Sequence, residues 1–155
     1  MALKRKKTKG NKDIWSKNEI IEWIANVLEI DPPSIEYTSE DFLTITTKAM
    51  VTPDRSRIII KAGLDRKQEC FYIAHEMRHV WQAKYMPSLL EGYMQSDQLD
   101  KEAYNLQSAE IDANAFGVVI LSNVFNSIPQ FGELTDDITE KILVRAGEIT
   151  RELNR

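Results

Sequence analysis

Apolar positions along the chain change period twice. Ile20, Ile21, Trp23, Ile24, Val27 and Leu28 recur at the spacing of one helix face. Ser16 and Glu19 ahead of them form a capping-box pattern, and Asp31-Pro32-Pro33 stops the run. The period then shortens. Residues Ser34–Thr38, 42–51 and Arg57–Lys61 alternate or are β-branched, with Ser-Glu-Asp and Thr-Pro-Asp turns between them. They predict a small, mostly antiparallel sheet. Helical spacing returns from Leu64-Asp65 to about Tyr85, before Pro87. A loop containing Gly92 is expected over 87–97 and a longer helix over 99–124, broken by Ser127-Ile128-Pro129. Thr135 caps a last helix whose Ile138, Ile142, Leu143, Ala146, Ile149 and Leu153 form one stripe. The predicted class is α+β.

Length and charge narrow this picture. A chain of 155 residues suits one domain with one core, expected over 14–155. The first dozen residues hold Lys4, Arg5, Lys6, Lys7, Lys9 and Lys12 without an acid, although the net charge is −4. Residues 1–13 therefore read as a basic, solvated, disordered tail on an acidic body. That distribution leaves no broad cationic face for nucleic acid, beyond weak contact through the tail. The tail lacks the apolar stretch of a secretion signal, and no segment approaches the roughly 20 apolar residues of a membrane span. A single cysteine, Cys70, cannot form an internal disulfide, which suits a reducing cytoplasm; on an apolar helix face it reads as core filler.

The chemistry concentrates in two segments. The chain has two histidines, His75 and His79, four apart, with Glu76 directly after the first. On a helix this HExxH spacing projects both imidazoles from one face toward one ion, with zinc expected. Glu76 lies about 100° around, placed to reach a water beside the metal and act as general base. Cys70, Ile73, Met77, Val80 and Trp81 cluster on the opposite side, so the histidines face a cleft or another helix.

A catalytic zinc site normally has three protein ligands. No further histidine exists, so an acid is required. Glu110, Asn114 and Gly117 fall on one side of the second long helix, while Asp112 points about 200° away. Glu110 is the expected third ligand because Asn114 can then orient a ligand imidazole through its free ring N–H. Asp112 is the fallback. Ala113 and Gly117 are small enough to bring the two helices close. Tyr93 is the first candidate for stabilising the developing oxyanion, with Tyr72, Tyr85 and Tyr104 as rivals.

His75-Glu76-Met77-Arg78-His79 with the later Glu110-Ile111-Asp112-Ala113-Asn114-Ala115-Phe116 resembles the ImmA/IrrE-type metallopeptidases, whose motifs are HExxH and E-x-x-A-N-x-F. The resemblance covers roughly residues 14–123. It implies a minimal zincin-like gluzincin, with an N-terminal helix, a small sheet, the HExxH helix, a glutamate helix and a C-terminal helix. It further implies zinc on His75, His79 and Glu110, Glu76 as base, and Asn114 behind a histidine. Such families occur in prophages and mobile elements and are associated with inactivating helix-turn-helix repressors, which here would be a separate protein. By the same likeness the strand Arg57–Lys61, through Ile59, is the sheet edge to which an extended substrate adds. Arg78 departs from the small residue common before the second histidine, either crowding the cleft or binding a substrate carboxylate. Gly117 stands where the family commonly has Ala.

Two functions follow. The first is a cytoplasmic zinc endopeptidase acting on a protein, which the resemblance implies is a repressor. The alternative is a non-catalytic, zinc-stabilised protein-binding module. Glu76 favours the first, because a purely structural site takes a fourth ligand and has no use for a base.

Overall fold

The computed structural model describes residues 15–40 and 47–155. The basic tail and the first part of the strand expected over 42–51 lie outside the described residues. Helix α1 spans Lys17–Leu28, starting from the expected box: Ser16 Oγ accepts from the Glu19 N–H and the Glu19 carboxylate accepts from the Ser16 N–H. Three strands follow, β1 (Ser34–Thr38), β2 (Ala49–Val51) and β3 (Arg57–Lys61). Helix α2 (Arg66–Tyr85) is capped reciprocally by Asp65 and Gln68. A short 3₁₀ turn over Pro87–Leu90 leads to α3 (Lys101–Leu106), α4 (Ser108–Phe125) and α5 (Asp136–Leu153), the last capped by Thr135.

The sheet corrects one expectation. Its order is β1-β3-β2, with β3 antiparallel to β2 but parallel to β1. It is mixed rather than mostly antiparallel. The turn after β2 closes a hairpin: Asp54 accepts from the Thr52 hydroxyl and the Ser56 N–H, and Arg55 takes a left-handed φ of 59°. Alternation marks the face that each strand buries, not the direction of its neighbour. Ile58 and Ile60 are fully buried while Ile59 points to the other face. Since β3 is the central strand, neither it nor Ile59 offers the free edge expected for substrate.

Helix α2 runs through the middle of the molecule. Cys70, Ile73 and Met77 enter the apolar core beside α1 residues Ile20 and Ile24, yet His75, His79 and Gln82 are buried as well. The helix is therefore covered on its polar side too, by α4. Almost every residue of α4 from Ala109 to Leu121 is buried, which explains its lack of a polar face. A Cβ on Gly117 would come within 2.5 Å of the Phe71 ring, so α4 approaches α2 closely there. On α5 the expected stripe is buried except Leu143, which is 44% exposed.

The helix expected over 99–124 is two helices. Gln107 breaks it with an extended ψ of 137°, and its side chain bonds both the N–H and the carbonyl of Met94. This ties the loop carrying Tyr93 to the start of α4.

Burial pushes the Cys70 thiol up to about 12. The native protein is thus expected to react negligibly with an aromatic disulfide reagent at pH 7 and to release one equivalent of thiolate product on unfolding. Fast reaction of the folded chain would contradict this packing.

Candidate metal centre

Helix geometry delivers both histidines to one point. One turn apart on α2, His75 and His79 hold their Nε2 atoms 3.2 Å from each other. From α4, Glu110 brings Oε1 to 3.3 Å from His75 Nε2 and Oε2 to 2.7 Å from His79 Nε2. Among the described residues these three form the one cluster of histidine, cysteine and acid side chains able to share a metal ion.

The neighbours of the rings decide what the cluster can hold. His75 Nδ1 lies 2.8 Å from Asn114 Oδ1, and His79 Nδ1 lies 2.8 Å from Gln82 Oε1. Each amide oxygen accepts a hydrogen bond from Nδ1–H, so Nε2 is the ring nitrogen available to give a lone pair to a cation. Three facing donors call for a cation between them. Tetrahedral bonds of about 2.0–2.1 Å place donor atoms about 3.3 Å apart, close to the 3.2 Å between the two Nε2 atoms, while the carboxylate turns a different oxygen to each ring. The residues therefore fit a divalent metal, and an N,N,O donor set suits zinc without being exclusive to it.

The electrostatics agree. Burial opposes the charge on Glu110, but the His79 and His75 charges outweigh it and hold the carboxyl well below the usual range. Burial likewise opposes charge on His79, while Glu110 wins and pushes it up to about 9. Without a metal, a proton shared with Glu110 fills the position of the cation. Glu76 behaves differently: burial raises its carboxyl, against the lowering pull of the histidines and of the Val51 N–H.

His75, Glu76, Glu110 and Asn114 line a cleft of about 750 Å³. Its other walls are residues 47–49 leading into β2, Phe71 and Tyr72 of α2, Tyr104 of α3, and the 130–134 segment. Of the three converging side chains the cleft reaches His75 and Glu110, with Glu76 beside them in its wall.

Three sequence expectations fail on geometry. Arg78 is buried away from the cleft: its guanidinium grips Asp112 through Nε at 2.7 Å and Nη2 at 3.1 Å and stacks on Trp81. It neither crowds the cleft nor faces a substrate carboxylate. Asp112, the fallback ligand, is held by Arg78, Gln82 and Arg145 instead. Tyr93 gives its one hydroxyl proton to Glu110 Oε2 at 2.9 Å, so that proton is not free for an oxyanion. Tyr104 lies 3.0 Å from the Tyr93 hydroxyl and lines the cleft. With the Tyr93 proton committed, Tyr104 is the donor in that contact. Burial, then the Glu110 charge, raises both phenols far above the ordinary range, keeping them protonated. Gln82 was missed in the sequence, although its place three residues after His79 was the available signal.

Residues 23–126 match a family described as "Putative metallopeptidase family (DUF6782)". The match spans both motif helices. No curated protein and no solved structure matches the chain. Among the described residues no helix is long and apolar enough to cross a membrane.

Proposed function

Because the chain belongs to this metallopeptidase family, we propose that it is a zinc-dependent endopeptidase whose metal is held by His75, His79 and Glu110. The supporting observation is the convergence of those three donors beside a cleft lined by His75, Glu110 and Glu76, the last a carboxylate that does not join them. Zinc, when bound, supplies Lewis acidity and makes a water nucleophilic near neutral pH.

The remaining work falls to the chain. Glu76, raised by burial, takes the proton of the attacking water and returns it to the leaving amine. Asn114 and Gln82 hold the rings by Nδ1. Tyr93 steadies the Glu110 carboxylate. Tyr104 replaces Tyr93 as the candidate for meeting the developing oxyanion, its proton turning from Tyr93 toward the cleft. The substrate strand adds along β2 rather than β3, because β2 pairs on one side only among the described residues and leads into the cleft wall. By the ImmA/IrrE resemblance the substrate is a cytoplasmic helix-turn-helix repressor.

The test is zinc-loaded chain incubated with a mixed peptide library and with candidate repressors, read by mass spectrometry. New termini should appear, disappear with a chelator and return with added zinc. Products indifferent to the chelator, or none from zinc-loaded chain, would contradict the proposal.

A further inference from the structure

Behind His79 lies a second group of buried polar side chains to which hydrolysis assigns no chemical step. Gln82 is fully buried, and Arg78 and Asp112 are each 3% exposed. The Gln82 amide nitrogen donates to the Ala109 carbonyl and to Asp112 Oδ2, both at 2.9 Å. Both atoms only accept, so each amide proton has a fixed destination. A flipped amide would set its oxygen against two others, at the cost of two buried hydrogen bonds. The side-chain carbonyl therefore faces His79 Nδ1, and that nitrogen must carry the proton.

The clamp is itself anchored. Asp112 receives two bonds from Arg78 and one, at 2.9 Å, from Arg145 Nε on α5. Arg145 also reaches Glu148 and Glu152 on its own helix. The Gln82 amide is thus oriented by α4, and its Asp112 contact is braced by α5.

We propose that Gln82 is a positioning residue for the metal centre: clamped by Ala109 and Asp112, it fixes the tautomer and ring angle of His79, so that cation affinity depends on one amide orientation. This rests on reading His75, His79 and Glu110 as metal ligands. It assigns the Asp112 cluster a role in holding metal.

The test uses full-length ¹⁵N-labelled chain loaded with zinc, with affinity measured by chelator competition. The chain has only two histidines, so the imidazole N–H region carries at most two protected Nδ1 protons. Both should be visible in the wild type. Gln82→Met should lose the His79 signal, keep the His75 signal and bind zinc about 10–100-fold more weakly. Gln82→Glu, with the oxygen that faces Asp112 and the Ala109 carbonyl protonated because two adjoining buried carboxyls cannot both ionise, keeps its other oxygen opposite Nδ1 and should retain the signal and bind more tightly than the Met variant. Ile149→Ala, a core truncation on α5, should bind zinc as the wild type does. Wild-type affinity in a folded Gln82→Met chain would overturn the proposal, as would loss of the His79 signal in Gln82→Glu if the Met variant does not fold. A wild-type chain that takes up no zinc overturns the metal-centre reading and this one with it, whereas normal uptake with an unaffected Gln82→Met overturns this one alone.

Discussion

Glu76→Gln keeps its zinc and loses its hydrolysis, with kcat falling by about 10²–10⁴-fold, the range that positioned proton transfer supplies. The amide matches the carboxylate in size but cannot take up a proton from water. Glu76 lies beside the three converging donors without being one of them, so zinc content should stay at the wild-type ratio. Burial already raises its carboxyl, and a neutral amide tolerates that environment. The folded variant with unchanged metal and unchanged kcat, measured on any peptide the wild type cleaves, would remove Glu76 from the reaction.

His79→Ala shows the opposite separation, losing metal and activity together. The imidazole supplies one of three donors, so zinc affinity should fall by more than about 100-fold, the upper end of what an outer hydrogen-bond partner is worth. Its loss also strips Glu110, only 2% exposed, of its closest cationic partner at 2.7 Å. Breaking a buried charged pair in this way costs about 3–5 kcal/mol. The metal-free variant should accordingly unfold at lower denaturant concentration than the metal-free wild type. Chelator competition and urea titration read the two effects separately, and full zinc occupancy in His79→Ala would exclude it as a ligand.

The convergence at this site was legible before any fold was known because helix geometry carries it. Four-residue spacing on α2 and the Glu110/Asn114 pair on α4 fix which side chains share a face, whatever the surrounding structure does. Asn114 meets His75 as that spacing implied. Caps were equally legible, since Ser16 and Thr135 act within three residues of themselves. What escaped was long-range. The pairing of β1 with β3 depends on the path between them, and no alternation of side chains encodes it. Arg78 reads as a cleft residue only while Asp112, 34 positions on, is not known to face it. The break at Gln107 comes from a side chain bonding a backbone 13 residues away. It alters the outcome at the site, because Tyr104 and Glu110 would stand about 120° apart around an unbroken helix. Tyr93 was drawn to the right place for the wrong purpose: its hydroxyl meets Glu110 rather than the cleft.

X-ray absorption at the zinc edge of the stoichiometrically loaded chain tests the metal centre most directly. One zinc per chain is expected, with two imidazole nitrogens and light oxygen donors at about 2.0–2.2 Å and no sulfur, and whatever zinc His79→Ala still retains should show one imidazole fewer. A sulfur neighbour, a single imidazole, or a spectrum unchanged by that substitution would contradict a centre built from His75, His79 and Glu110.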